Sequence, residues 1–178
     1  MSLYKSPPLY THVICVDEMG PVSAKTYVAP RWSEHRPRVA PDYGRRDKVW
    51  VFGAFEPQTG YALTVCADGR ATAPFINLLD QIVHIWPTGD LVLILDNLAA
   101  HKTLDVRLWA LAYPRVRFLF QPTYAPWLNL IEPWWKTLRS LALKGRRFED
   151  KAELIAAIDA ATVYWNRRPK PYYWRKAA

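Results

Sequence analysis

The sequence predicts an α/β fold, a mixed central sheet flanked by helices, and three observations carry that prediction. The first is LVLIL at 91–95, five consecutive apolar residues bounded by Pro87-Thr88-Gly89-Asp90 on one side and Asp96 on the other. An apolar run that short reads as a strand buried on both faces, as in the middle of a sheet covered by helices. The second is a pair of β-branched and aromatic runs, 49–55 and 61–66, joined by Pro57-Gln58-Thr59-Gly60, which reads as an antiparallel hairpin. The third is helical apolar spacing in segments that alternate with strands or follow them: 73–86, 104–112, a helix from Ile131, and 153–165.

In chain order, residues 1–10 read as an extended lead-in. Residues 12–18, HVICVDE, form a β-branched strand that ends in acids. Met19-Gly20-Pro21 is turn chemistry, and 22–28 can form a second strand. The segment 30–48 has no helical or strand period and carries Arg31, Arg36, Arg38, Arg45, Arg46 and Lys48. A loop of that length in a compact domain is often functional; clamping a phosphate backbone and serving as a surface loop are both open for it. Residues 116–120 form another strand, and 121–129, QPTYAPWLN, a loop. Ile131, Trp135, Leu138 and Ala142 make one stripe of the next helix, whose first turn holds Glu132 and Pro133. Asp150 with Glu153 is a capping-box-like start for the last helix, and the basic, Pro-rich tail from Asn166 is extended.

At 178 residues the chain is long enough for one domain with a real core. No apolar run approaches the ~20 residues of a membrane span, and MSLYKSPPLY does not read as a signal peptide. The expectation is a cytoplasmic protein, with Cys15 and Cys66 reduced because they have no metal-ligand spacing. The formal net charge is +8, and it is unevenly placed. Eleven of the 24 Lys and Arg but only four of the 16 Asp and Glu lie from Lys136 onward, including Arg146 and Arg147. A positive field of that kind attracts polyanions, nucleic acid foremost.

Three acids stand at the edges of apolar elements: Asp17, Asp96 and Glu132. Each has a plain alternative, as a turn former, a helix cap or a complement to a helix dipole. In open α/β sheets, however, ligands bind beyond the carboxyl ends of strands, where Asp17 and Asp96 fall. Hard divalent cations take oxygen ligands, and two such ions can serve an in-line phosphoryl displacement. Without a cation, clustered carboxylates repel, so the site is expected to be loose until metal binds. No GxxxxGK[ST] is present, so no nucleotide cofactor is expected.

The ordered set DEMG at 17–20, Trp32, Gly53-Ala54-Phe55 with Thr59-Gly60, LILDN-x3-H at 93–101, WLN-x2-E-x-WW at 127–135, and the ending Trp165-Asn166, Pro169-Lys170-Pro171, Trp174 resembles bacterial insertion-sequence transposases of the IS630 branch of the Tc1/mariner superfamily. The likeness covers nearly the whole chain, and the 35 residues between Asp96 and Glu132 are close to that superfamily's interval. Leu130 stands where many relatives have proline.

The resemblance implies an RNase H-like fold and DDE chemistry, with Asp17, Asp96 and Glu132 as catalytic residues holding two Mg²⁺ or Mn²⁺ ions. It further implies phosphodiester hydrolysis at element ends, then strand transfer by 3′-hydroxyl attack, on DNA as transposon end and target, by a homodimer. Asn97 and Asn129 are expected to orient carboxylates or bind phosphates. His101 is expected to contact DNA, assist proton transfer or make a structural hydrogen bond. Arg45, Arg46, Arg146 and Arg147 are candidates for the DNA path. Residues 1–178 are expected to be a single catalytic domain without the family's N-terminal helix-turn-helix modules. Two alternatives stay open: a catalytically silent DNA-binding remnant, and a nuclease that only hydrolyses.

Overall fold

A computed structural model describes residues 2–28, 47–122 and 128–173. Its centre is a five-stranded sheet. Strand β1 (Thr11–Ser23) lies in the middle, β2 (Lys48–Glu56) and β3 (Tyr61–Ala67) pair antiparallel on one side, and β4 (Asp90–Leu95) and β5 (Val116–Phe120) run parallel to β1 on the other. The helices are α1 (Ser2–Lys5), α2 (Thr72–Ile85), α3 (Leu104–Ala112), α4 (Ile131–Ala142) and α5 (Lys151–Asn166). The hairpin, the central strand and the helices from 73 onward therefore stand where the apolar periodicity puts them, within a residue or two. Among the described residues no helix is long and apolar enough to cross a membrane.

Alternation along β1 feeds two cores. Cys15, Met19 and Val22 join the side covered by α4 and α5, with Trp134, Trp135, Leu138, Leu154 and Ile158. Ile14 and Val16 point the other way, into Phe75, Leu78, Leu79 and Ile82 of α2 and Val106 of α3. Strand β4 is buried throughout 91–95, as its apolar run requires. Both cysteines are free thiols, and burial pushes the pKa of each up to about 12.

Three local expectations are corrected. The lead-in is not extended from its start, because Ser2–Lys5 form a helical turn whose Tyr4 hydroxyl donates to the Leu128 carbonyl. Met19-Gly20-Pro21 does not turn the chain, and 22–28 is not a separate strand. Strand β1 runs on to Ser23 through a register shift against β2 between Met19 and Val22. Gly20, at φ +152, permits this: a Cβ there would stand 3.1 Å from the Trp50 ring. Beyond Ser23 only an isolated bridge, Thr26 to Arg147, remains of the expected strand. The segment 29–46, with Trp32, Arg45 and Arg46, and residues 123–127 and 174–178 lie outside the described residues.

The capping and tail signals late in the chain have clear physical roles. Asp150 caps α5 by accepting from the Glu153 amide at 2.9 Å, and Glu153 accepts from the Glu149 amide. At the far end of α5, the Asn166 side chain behaves like a short extra strand. Its Oδ1 accepts from the Ala62 amide at 3.0 Å and its Nδ2 donates to the Ala62 carbonyl at 2.7 Å, closing part of the exposed edge of β3. Replacing Asn166 with Ala leaves both groups of Ala62 without these partners. The expected cost is about 1–3 kcal/mol, read as a lower denaturation midpoint at an unchanged denaturant slope.

Candidate active site at the carboxyl end of the sheet

The register between β1 and β4 decides which acids meet. Pairing runs from Thr11↔Asp90 to Cys15↔Ile94, and two residues further along each strand stand Asp17 and Asp96. Adjacent strands are ~4.8 Å apart, so the two acids stand at neighbouring positions where β4 ends and β1 runs on. Glu132 comes to the same end through Asn129. That buried side chain donates from Nδ2 to the Val16 carbonyl at 3.0 Å, and its Oδ1 accepts from the Ile131 amide. It thereby ties the start of α4 to the residue before Asp17.

Asp17 shares the α4 side of β1. Its Oδ2 accepts from the Trp135 indole N–H at 3.1 Å. This contact depends on Gly53, the partner of Asp17 on β2. Trp135 lies directly over Gly53, where a Cβ would come within 2.1 Å of the ring. The Asp17 carboxyl pKa is pushed up to about 6, chiefly by burial. The Trp135 hydrogen bond and the Glu18 amide pull it down, while the carboxylates of Glu18 and Glu132 push it up. Asp17 and Glu132 are therefore within electrostatic reach of each other.

Asp96 is held differently. Its Oδ1 accepts from the Leu98 amide at 2.9 Å and from His101 Nδ1 at 3.2 Å. It does not cap α3, which starts eight residues later. The His101 hydrogen bond is the main reason its carboxyl pKa is lowered, helped by the Leu98 amide and the charges of His101 and Arg70 and opposed by burial. The other imidazole nitrogen, Nε2, donates to Glu18 Oε1 at 2.7 Å. The side chains of His101 and Glu18 are 0% and 2% exposed, and that of Asp96 is 52% exposed. Burial acts to lower the His101 pKa, but Asp96 and Glu18 together outweigh it and hold the imidazole up at about 9. At neutral pH His101 is thus a buried cation between two carboxylates, with its ring centre 4.2 Å from that of Phe75.

The other candidate residues have separate roles. Asn97 is an anchor between loops, donating to the Gln121 carbonyl and accepting from Lys102 Nζ. His101 is too buried to touch DNA, so of its three expected roles the structural hydrogen bond is the one seen. Arg147 pairs with Glu149 at 2.8 Å, and Arg146 lies over the Phe148 ring. Glu18, Gly53, Trp135 and Arg70 belong to the site although the sequence does not mark them as site residues. An acid directly after Asp17 signals Glu18, but its burial on the opposite face emerges only from the sheet.

The donor set of Asp17, Asp96 and Glu132 is all carboxylate oxygen, which suits a hard divalent cation. The like-charge pressure on Asp17 is what a cation would relieve. Among the described residues, no group of three or more His, Cys, Asp or Glu is arranged to hold a metal ion. Asp96 is turned toward His101, and the exposed Glu132 side chain makes no hydrogen bond within the described residues.

Two outcomes follow from Asp17. Between the ordinary carboxylate pKa of 3.8 and about 6, the unfolded chain releases this proton while the folded chain keeps it. Stability is therefore lost as pH rises through that window and stays lost above it. Asp17→Asn should raise stability by up to about 3 kcal/mol at pH 7 and leave it nearly unchanged at pH 3.5, as urea midpoints at the two pH values will show. Gly53→Ala should displace Trp135, cost about 1–3 kcal/mol, and move the Asp17 titration upward in carboxyl-resolved NMR.

Known proteins share this arrangement of strands and helices. An uncharacterized 39 kDa protein of insertion element IS630, from Shigella sonnei, is 27% identical over 116 residues; the match takes in 65% of this chain but only 34% of that protein. The chain thus spans about a third of that relative's length. Among solved structures, Mos1 transposase in a paired-end complex with the left transposon end superposes with a TM-score of 0.62 at 16% identity, over 93% of this chain and 53% of the other. The HTLV-2 integrase catalytic core domain in complex with magnesium gives 0.55 at 13% identity, over 87% and 84%. At these identities the likeness is one of fold, and that fold, a mixed five-stranded sheet between helices, is RNase H-like. The family model described as DDE superfamily endonuclease matches residues 12–155, from the start of β1 into α5, and the chain belongs to that family.

Proposed function

We propose that this chain is the metal-dependent catalytic domain of a bacterial DNA transposase acting in the cytoplasm, with Asp17, Asp96 and Glu132 as its catalytic acids. The observation that supports the reading is the strand register that puts Asp17 and Asp96 at neighbouring positions of β1 and the end of β4, with the Asn129 tie holding the first turn of α4, and so Glu132, to the same end. They would hold two Mg²⁺ or Mn²⁺ ions, which when bound activate an attacking oxygen and stabilise the leaving one. Trp135 and Gly53 orient Asp17, His101 keeps Asp96 ionised, and Asn129 holds the first turn of α4 against β1. In the first reaction water displaces the 3′ oxygen at the element's end, leaving a 3′-hydroxyl and a 5′-phosphate. In the second, that hydroxyl attacks a target phosphodiester and expels its 3′ oxygen. The bond energy is conserved, so neither ATP nor a covalent enzyme intermediate is required. DNA is the partner, as transposon end and target, and a homodimer would bridge two ends.

The arrangement of Asp96 gives the silent DNA-binding remnant a specific basis, since the three acids do not form a closed ligand set among the described residues. The deciding assay is joining of a labelled, pre-nicked DNA end to target DNA with Mg²⁺, Mn²⁺ or EDTA. Metal-dependent joined products, lost in Asp96→Asn while DNA binding persists, are expected. Cleavage without joining would establish the hydrolytic nuclease instead, and binding without either reaction would establish the remnant.

A further inference from the structure

Where the outer end of β1 meets the second half of α4, the surface forms a groove of about 490 Å³. Lys25, Arg139 and Lys144 line it, with Tyr27 and Ser140 as polar neighbours and Pro21, Val22 and Leu143 among its apolar walls. Among the described residues no acid lines it and none of the three cations belongs to an ion pair. All three are exposed. The side-chain contacts they make are weak: Lys25 Nζ lies 5.3 Å from the Tyr27 ring centre, and Arg139 Nε meets the Met19 sulfur at 3.1 Å. The Tyr27 hydroxyl is occupied by the Ser23 carbonyl, which fixes the ring as a wall. Three cations that line one groove with no counter-ion among the described residues repel one another, and a multivalent anion would relieve that repulsion.

The groove is also aligned with the acids. Arg139 stands seven residues after Glu132, two turns along the same face of α4, or ~10 Å at 1.5 Å per residue. Duplex DNA rises ~3.4 Å per nucleotide along its axis, so for a duplex lying along α4 the groove stands ~3 nucleotides from Glu132. Helix α4 follows β1 outward from Asp17, with Asn129 at Val16, Trp135 at Asp17 and Arg139 at Met19. A strand seated on the acids and following α4 therefore passes over these cations.

We propose that Lys25, Arg139 and Lys144 form a phosphate-backbone site for the DNA strand, about three nucleotides from the bond that reacts. The site rests on the catalytic reading above for its register, but not for its chemistry. It predicts electrostatic, sequence-independent holding of that strand.

The test is equilibrium binding of a DNA end by the whole chain in EDTA, over a range of salt, for wild type and for the K25Q/R139Q/K144Q variant. Because the three side chains are exposed, the variant is expected to melt like wild type, and Arg117→Gln, at the opposite end of the parallel strands, is the charge control. The slope of log affinity against log salt should fall by about 2–3 in the variant, at about 0.7–0.9 per lost phosphate contact, with a roughly tenfold or greater loss at physiological salt. Arg117→Gln should change neither by more than one such contact. A neutral methylphosphonate placed two to four nucleotides from the reactive phosphate should weaken wild type and leave the variant unaffected. Equal slopes in variant and wild type overturn the proposal. So does a methylphosphonate effect of the same size in both, and so does displacement of inorganic phosphate, rather than DNA, as the variant's only defect. Binding is measured without metal, so an inactive protein whose slope still depends on the three cations would defeat the catalytic reading alone. Metal-dependent joining with an unchanged slope would defeat the groove alone.

Discussion

The placement of β1 between an antiparallel and a parallel neighbour governs everything built at the active end of the sheet. Its pairing to β2 sets Asp17 opposite Gly53, and its pairing to β4 sets Asp17 beside Asp96. Side chains alternate across a strand, so a slip of one residue would exchange every inward and outward position. Here that alternation sends two consecutive acids to opposite faces, Asp17 toward Trp135 and Glu18 toward His101. Each acid then acts through the layer it meets.

Those layers differ in character. On the α4 side, a missing side chain at position 53 lets an indole lie close on the sheet and reach a carboxylate with its N–H. On the α2 side, a buried imidazolium is stabilised by two acids against the strong penalty of burying charge. Asp96 stands at the junction, half in solvent and half committed to His101. The result is two carboxylates of divergent acidity, Asp17 raised and Asp96 lowered, at neighbouring positions of β1 and the end of β4. Such a divergence is a common mark of functional sites, where the environment sets the charge each group carries.

Helix α4 joins the acidic site to the basic surface. Its inner stripe, with Trp134, Trp135 and Leu138, fixes it to the sheet, and its outer residues run from Glu132 to Arg139. One rigid element therefore carries a carboxylate at its first turn and a cation two turns later. The basic residues Arg146 and Arg147 continue the same positive side of the protein through the Thr26–Arg147 bridge.

Local sequence is enough to specify the fold class and to single out three candidate acids. Short apolar runs, a hairpin turn and helical spacing place the central strand, the hairpin and four helices, because each segment's burial is written in its own period. The three acids are legible because each interrupts an apolar element at its edge. Other features take shape only when distant segments meet. Gly20-Pro21 reads as a turn locally, yet the strand continues through it in pairing with β2, by a register shift. His101 reads equally as a DNA contact, a proton-transfer group or a structural hydrogen bond, yet packing seals it between Glu18 and Asp96. Nothing local announces what Gly53, Trp135, Lys25 and Arg139 do. Their roles come from long-range register and from the line of α4 along β1, because side chains far apart in the chain acquire a shared function only when those contacts form.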